Sequence, residues 1–186
     1  MNLVEFALAW ISPPPGPIRF VGAQASRESL LARGYEISDR PPLAAVVAES
    51  LPPSVGEVEE FVDDVASALV ARGVFVLEGL AWDRLEGPTA EWFYAQKRLL
   101  AAAGRLEPAP GSLQEFLTSW RTAHVGQFRL AELRAALARR FEERELIMTV
   151  GLYRLLGGPA SRALEQTLVE TEMIRPLGFL YAGVRR

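Results

Sequence analysis

The longest run with a helical period, residues 112–156, constrains the fold more than any other part of this 186-residue chain. Apolar residues recur in it at the i, i+3, i+4 spacing of an amphipathic helix, and Gly126 interrupts the pattern. Proline- and glycine-rich segments divide the rest of the chain into shorter elements. We therefore expect the C-terminal half to consist mainly of packed helices.

One face of residues 112–125 collects aromatic and aliphatic side chains together with His124, the chain's single histidine. Trp120 precedes His124 by one helical turn, so the imidazole is predicted to lie along an apolar seam. Two interpretations remain open: a histidine at the edge of the core that bonds a carbonyl or hydroxyl, or an imidazole that faces a ligand in an aromatic pocket. One histidine excludes a metal site with several histidines from one subunit.

After Gly126 a second apolar stripe predicts another helix. The stripe consists of Leu130, Leu133, Leu137 and Phe141. Arg129 and Arg140 flank it and Arg144 projects into it, which indicates either a helix break near residue 145 or a guanidinium held by a carboxylate or an anionic ligand. Residues 146–156 are apolar on nearly all sides, which is typical of a helix buried in a bundle or against a partner.

Short strands are predicted in the N-terminal part. Alternating apolar residues predict strands over residues 4–10 and 18–21, joined as a hairpin by a proline-rich loop. Residues 22–37 predict a turn, a two-turn helix and a strand, an outline also typical of phosphate-binding nucleotide folds. Gly22 is the one glycine of the usual set, so an anion site and a plain structural turn are both compatible with it. Residues 43–51 fit a strand or a helix.

A helix is predicted over residues 55–72 and an interior strand over 74–77. Acidic side chains crowd the first turns of this helix, where the helix dipole favours them. Glu60, Asp63 and Asp64 also offer oxygen ligands to a hard cation, although no glycine-containing loop accompanies them. The dipole alone is a sufficient explanation for the cluster.

Further helices are predicted over residues 89–103 and 160–174, and residues 177–186 are either a short strand or a packed extension. The predicted fold class is α+β and mainly α: a small N-terminal sheet of short strands followed by a four- to five-helix assembly. Residues 1–106 form the α+β part and residues 107–186 the helical part of one compact domain.

Charge is distributed unevenly along the chain. Residues 1–96 carry 6 basic and 14 acidic side chains (−8), and residues 97–186 carry 14 and 9 (+5), which sum to −3. The asymmetry is compatible with docking of the two halves, self-association, or a basic surface for an anionic partner. Acids interleave with the C-terminal arginines and the pI is about 5.4, so a nucleic-acid partner is disfavoured.

Composition excludes several classes of site and location. The chain has no cysteine, which rules out disulfides, thiolate catalysis and cysteine-bound metals. The N-terminus lacks a basic region and Pro13 breaks its apolar run, so no signal peptide is predicted. No uncharged apolar run approaches a membrane span, and a cytoplasmic protein is expected. Nineteen Arg against one Lys and one Asn fit a GC-rich genome or a hot habitat.

The leading functional hypothesis from the sequence is a non-enzymatic interaction or regulatory module that binds a protein partner or a second copy of itself through its C-terminal helices. The alternative is a small-molecule-binding protein or enzyme with a pocket between the helices around Trp120 and His124. The second alternative is a nucleic-acid-associated protein. No cofactor, metal or catalytic residue is predicted. The candidate ligand- or partner-binding residues are Trp92, Trp120, Arg121, His124, Arg129, Arg140 and Arg144.

Overall fold

A computed structural model describes residues 1–49 and 58–186 of the chain. Contacts divide the protein into two units: unit 1 comprises Met1–Gly79, Leu130–Ile147 and Leu180–Arg186, and unit 2 comprises Leu80–Arg129 and Met148–Phe179. In chain order the elements of the described residues are α1 (Leu3–Ile11), β1 (Ile18–Val21), α2 (Gln24–Leu31), β2 (Leu43–Glu49), α3 (Val58–Ala68), β3 (Leu69–Leu80), α4 (Gly87–Ala102), α5 (Leu113–Ala123), α6 (Leu130–Arg140), β4 (Phe141–Thr149), α7 (Pro159–Glu170) and β5 (Gly178–Arg185), with 3-10 turns at Trp82–Arg84 and Leu152–Leu156.

A five-stranded sheet in the order β1-β2-β3-β5-β4 organises unit 1. β1, β2 and β3 are parallel, with Ala45 of β2 opposite both Ile18 and Val74. β5 is antiparallel to β3. This direction follows from the bond that Arg185, at the end of β5, donates to the carbonyl of Leu69, at the start of β3. Within the unit α1 packs against α2 and β2, and α3 packs against α6. The result is a mixed sheet whose parallel half carries short βα connections.

The predicted fold class was wrong. The sheet is not a small N-terminal one followed by a helical assembly, since two of its five strands, β4 and β5, come from the C-terminal half. The helix predicted over residues 146–156 is instead the end of β4 followed by a 3-10 turn. A short apolar run such as residues 146–149 shows no period-2 alternation, so periodicity alone does not distinguish a strand from a buried helix there.

Arg144 lies on β4, because α6 ends at Arg140 and passes into the strand without a loop. The structure therefore contains the helix break, and the carboxylate that holds the guanidinium of Arg144 belongs to the same strand. The break falls four residues earlier than residue 145, before the stripe reaches Arg144. The side chain of Arg144 pairs with Glu142 at 3.0 Å.

The strand predicted over residues 4–10 is the helix α1. Asn2 caps it reciprocally with Glu5: the Asn2 side chain accepts from Glu5 N at 2.9 Å, and the Glu5 carboxylate accepts from Asn2 N at 2.8 Å. The buried residues follow the helical period and are Leu3, Val4, Phe6, Ala7 and Ile11. The alternation in the sequence misled because the alanines fit a buried and an exposed position equally well.

The predicted hairpin between residues 4–10 and 18–21 is also absent, since β1 pairs in parallel with β2. The strand over residues 18–21 is confirmed. Of residues 43–51, which fitted a strand or a helix, residues 43–49 form β2, and residues 50–51 lie outside the described part of the chain. Residue 37 touches the sheet through a single bridge to Ile18. Because α2 connects β1 to the region before β2, the N-terminal elements form a parallel βαβ arrangement.

The helix predicted over residues 55–72 ends at Ala68, and β3 begins at the next residue. Residues 55–57 of that prediction lie outside the described part of the chain. The strand over 74–77 is confirmed as the interior of β3, where Phe75, Val76 and Leu77 are fully buried. Gly73 belongs to the strand and does not end the helix.

Unit 2 packs around an aromatic cluster. Its buried residues are Leu85, Ala90, Phe93, Tyr94, Phe116, Trp120, Leu152, Leu156 and Leu177. Ser112 is the N-cap of α5, and its Oγ accepts from Glu115 N at 3.2 Å. Glu165 of α7 is 1% exposed, and its carboxylate accepts the backbone N–H groups of residues 151, 152 and 153 at 2.7–3.1 Å. These bonds fix the 3-10 turn after β4.

In the described ranges, 1–49 and 58–186, no helix has the length and apolar character needed to cross a membrane. Nor does this part of the chain group three or more His, Asp or Glu side chains that could hold a metal ion. The hard-cation alternative for Glu60, Asp63 and Asp64 therefore has no support, and Asp63 binds Arg140 instead.

Candidate functional site

The carboxyl ends of the parallel strands β1, β2 and β3 meet at one edge of the sheet. In open α/β sheets ligands bind in the crevice outside the carboxyl ends of the strands. Four residues define this carboxyl edge here: Gly22 and Ala23 follow β1, Glu49 is the last residue of β2, and Glu78 lies near the end of β3. The candidate cofactor site is built from these residues.

Glu49 closes on the turn that follows β1. Its Oε2 accepts the backbone N–H of Ala23 at 2.8 Å, just before α2 begins. A Cβ on Gly22 would lie 2.5 Å from Glu49 Cβ and 2.8 Å from Glu49 Oε2. Only glycine allows this approach, so Gly22 permits contact with Glu49. The turn is therefore structural, and the backbone amide that a ligand's anionic group would use already binds a carboxylate.

Glu78 stands directly opposite Glu49 in the register of β2 and β3. Glu78 is only 8% exposed. It has an interaction partner, but its Oε2 accepts no hydrogen bond from the described residues. Like charges opposite each other on neighbouring strands repel, so this pair favours a positively charged group beside it. The carboxyl edge is acidic and suits a cation or a donor of hydrogen bonds.

In unit 2, His124 is held between two indole rings. Its ring lies 5.3 Å from that of Trp82 at an interplanar angle of 16°, and 4.1 Å from that of Trp120. Nδ1 lies 2.7 Å from the carbonyl oxygen of Trp120. A carbonyl only accepts, so Nδ1 carries the hydrogen of this contact, and in the tautomer with the hydrogen on Nδ1 alone Nε2 is an acceptor.

The two tryptophans of this group are themselves fixed by backbone bonds. Trp120 Nε1 donates to the carbonyl of Trp82, and Trp82 Nε1 donates to the carbonyl of Phe128, both at 3.0 Å. His124 is half-buried and ends α5 as its C-cap. The ring is thus oriented by both indoles and by the Trp120 carbonyl while the residue stays half-buried, an arrangement that can bind a ligand hydroxyl or amine.

The structure brings together only some of the residues predicted as a site. Trp120 and His124 are in ring contact, and Trp92 packs against the same aromatic cluster. Arg121 and Arg129 are exposed on unit 2. The remaining two lie in unit 1: Arg140 pairs with Asp63 at 2.7 Å and Arg144 with Glu142.

A groove of about 470 Å³ in unit 2 lies at the start of α4 and is lined by residues 86–89 and 172–175. Thr89 is buried there, and its Oγ1 accepts from Arg175 N at 2.8 Å. None of the predicted residues of this unit lines the groove.

Sequence reasoning missed Glu49, Glu78 and Trp82. Each glutamate follows an apolar run, LAAVVA or VFVL, at the point where the strand ends. That signal becomes informative once the strands are known to be parallel, because their carboxyl ends then share an edge. No sequence pattern pointed to Trp82, which reaches His124 only through the tertiary fold.

Comparisons with known proteins give a fold but no family. No protein-family model matches the sequence, and no curated protein matches it. Similar solved structures include a geranyl diphosphate methyltransferase in complex with GPP and sinefungin, with a TM-score of 0.59 at 12% identity over 98% of this chain and 76% of that one. An S-adenosylmethionine-dependent enzyme from Mesorhizobium loti has a TM-score of 0.51 at 14% identity over 100% and 98%. A geranyl diphosphate enzyme from Streptomyces coelicolor A3(2), with Mg²⁺, geranyl diphosphate and S-adenosyl-L-homocysteine, has 0.53 at 10% over 98% and 78%.

All three are methyltransferases. The chain shares their Rossmann-like fold over almost its whole length, and at these identities the likeness concerns the fold alone. The predicted non-enzymatic module with a protein partner or a second copy is contradicted, because the fold is one that these proteins use to bind small molecules. The apolar segment 146–156, on which that hypothesis depended, lies in the sheet and the following turn.

The residues at the carboxyl edge fit S-adenosylmethionine (SAM) better than a phosphate-bearing cofactor. Glu49 occupies the amide at the β1–α2 turn, so a pyrophosphate would meet a carboxylate there. SAM carries a positive sulfonium, an ammonium group and ribose hydroxyls, all of which suit carboxylate acceptors. The donor and acceptor set of this edge is therefore compatible with SAM.

Proposed function

We propose that this chain binds SAM at the carboxyl edge and transfers its methyl group to a small molecule. The observation that carries the proposal is the fold shared with SAM-dependent methyltransferases over at least 98% of the chain. The acidic pair at the carboxyl ends of β2 and β3 supports it, since a cationic cofactor relieves the repulsion between Glu49 and Glu78.

Each residue of the edge has a separate task in this proposal. Glu49 accepts hydrogen bonds from the ammonium or the ribose hydroxyls while keeping its bond to Ala23 N. Glu78 supplies a second, buried negative charge. Gly22 keeps the turn close enough to Glu49 for that bond to form. When bound, SAM supplies an activated methyl group on a positively charged sulfur.

Isothermal titration with SAM, S-adenosylhomocysteine and sinefungin tests the proposal. We expect SAM to bind, and Glu49→Gln and Glu78→Gln each to weaken it by about tenfold, the usual loss for one charge-assisted contact. Glutamine keeps an oxygen that accepts from Ala23 N, so the substitution at residue 49 removes charge and little else. Glu28→Gln on α2, an exposed glutamate whose hydrogen bond is to Gln24, is the matched control. No binding of any of the three compounds would refute the proposal.

We further propose that the aromatic group of unit 2 binds a small molecule, with Trp82 and Trp120 as apolar walls and His124 Nε2 as the acceptor of its hydrogen bond. His124 is the chain's one histidine, so modification by diethyl pyrocarbonate reports on this ring alone. We expect a single modified imidazole, and slower modification in the presence of a small-molecule ligand found by screening. A ring that does not react in the folded protein would remove His124 from the site.

A further inference from the structure

The opposite edge of the sheet has the opposite charge. A cavity of about 370 Å³ lies where α3 passes into β3, α6 passes into β4, and β5 ends. We call it the arginine pocket; four guanidiniums and one carboxylate line it, from Arg139, Arg140, Arg185, Arg186 and Asp63. All of these residues belong to unit 1. A lining this basic in a protein with a net charge of −3 calls for an explanation.

Carboxylates neutralise half of this charge. Arg140 makes two parallel bonds to Asp63, at 2.7 and 3.0 Å, and Arg139 bonds Glu59 at 3.2 Å. Neither Arg185 nor Arg186 forms an ion pair with a carboxylate of the described residues. Two guanidiniums in the pocket therefore carry uncompensated charge.

Helix capping explains one bond of each of these two arginines, but not their remaining donors. Arg185 Nη1 donates to the carbonyl of Leu69, and Arg186 Nε donates to the carbonyl of Phe141 at 3.2 Å. These carbonyls follow the last residues of α3 and α6, where the helix dipoles favour cations. Most N–H donors of both guanidiniums stay available, and their fork geometry matches phosphate and carboxylate oxygens.

We propose that the arginine pocket binds a small polyanion of the phosphate or diphosphate class. Its volume is near the lower end of the range for small-molecule sites, about 300–1,000 Å³, so it suits a compact anion. The two unpaired arginines supply the primary contacts. Arg139 and Arg140 add charge at the rim, where each is more than half exposed. The site goes beyond the proposed methyl transfer and lies at the other end of the parallel strands from the SAM edge.

Inorganic pyrophosphate is the probe, titrated into the full chain by calorimetry at low and at high salt. We expect pyrophosphate to bind and its affinity to fall as salt is added. The double variant Arg185→Gln/Arg186→Gln should bind pyrophosphate about tenfold more weakly or worse. Arg33 is an exposed arginine of the same unit that bonds Ser29, and Arg33→Gln should leave the affinity for pyrophosphate unchanged. Absence of pyrophosphate binding at low salt, or binding that the double variant retains in full, would overturn the proposal.

Two further variants keep the test decisive if the double variant does not fold. Arg139→Gln removes a charge at the rim and leaves both capped carbonyls intact. It should weaken pyrophosphate binding by about threefold. Asp63→Asn releases the guanidinium of Arg140 from its ion pair and should increase the affinity for pyrophosphate by about fivefold. A general loss of stability cannot increase affinity, so unchanged or weaker binding by Asp63→Asn would count against the pocket.

The two proposed sites fail separately. Glu49→Gln and Glu78→Gln should leave pyrophosphate affinity unchanged, and the arginine variants should leave SAM affinity unchanged. If SAM fails to bind while pyrophosphate binds with the predicted pattern, the proposed function falls and the arginine pocket stands.

Discussion

The two edges of the sheet in unit 1 solve opposite electrostatic problems. At the carboxyl edge, Glu49 and Glu78 face each other in register and repel. The amino edge is the opposite end of the parallel strands, where the arginine pocket lies. There Arg185 and Arg186 bond the carbonyls of Leu69 and Phe141, at the ends of α3 and α6, so their charges stabilise these helix ends. The acidic edge is therefore expected to lower the stability of the protein and the basic edge to raise it.

This difference indicates which edge is harder to explain without a ligand. Charges that cap helices have a structural role in the protein alone. Glu49 shares such a role through its bond to Ala23 N, but the repulsion between two register-paired carboxylates does not stabilise the fold. Active sites commonly hold groups that destabilise the fold, because the geometry that favours a ligand is not the geometry that favours folding.

Gly22→Val should produce the largest loss. The added Cβ alone would meet Glu49 Cβ at 2.5 Å and Phe20 at 2.9 Å, so the turn and the end of β2 must separate. We expect the free energy of unfolding to fall by about 3 kcal/mol and SAM binding to disappear. Urea denaturation measures the first and calorimetry the second. Gly111→Ala, where the nearest atom is 3.4 Å away, should change neither, and a stable Gly22→Val variant would show that Glu49 does not close on the turn.

How much of this edge the sequence predicts depends on strand direction. The strand over 18–21 and the interior strand over 74–77 were predicted, and Gly22 stood out as the turn glycine. The hairpin prediction, however, made β1 antiparallel to a strand that is in fact the helix α1. Without parallel strands there was no shared carboxyl edge, so Glu49 and Glu78 looked like ordinary strand ends.

The prediction for the C-terminal half was wrong for a different physical reason. α6 passes into β4 at Phe141 with no glycine or proline between them, so no residue in the sequence marks the end of the helical stripe. β5 is buried along most of its length and therefore has no alternation. By contrast, the N-cap at Ser112 and the interruption at Gly126 were recognisable, because capping and left-handed backbone are local properties.

Arg185→Gln with Arg186→Gln should give the next largest effect. Both carbonyls lose a charged donor at a helix end, and we expect the free energy of unfolding to fall by about 2 kcal/mol. Arg139→Gln, which breaks an exposed pair with Glu59, should cost less than about 0.5 kcal/mol. Urea midpoints of the three proteins measure the difference. Equal losses in both variants would mean that the amino edge is not stabilised by capping.

Glu78→Gln should change stability in the other direction. Removing one of two facing charges relieves their repulsion, and we expect a gain of about 0.5 kcal/mol in the free energy of unfolding. The same substitution should weaken SAM binding, so the stability of the protein and its affinity for SAM change in opposite directions. A variant that is destabilised would show that Glu78 has a structural role, and the contrast between the two edges would then fail.

The smallest effect concerns acid. The hydrogen bond from Arg140 holds the pKa of Asp63 below its ordinary value of 3.8. A carboxyl whose pKa is lowered by folding stabilises the protein above its unfolded pKa, and that contribution is lost as the pH falls through the folded value. Asp63→Asn lacks this contribution at every pH. The stability difference between wild type and variant should therefore be largest near neutral pH and shrink as the pH falls below 3.8, as urea midpoints at successive pH values can measure. Because the pair is exposed, the difference is small, and a constant difference across that range would mean that Arg140 does not hold Asp63 in solution.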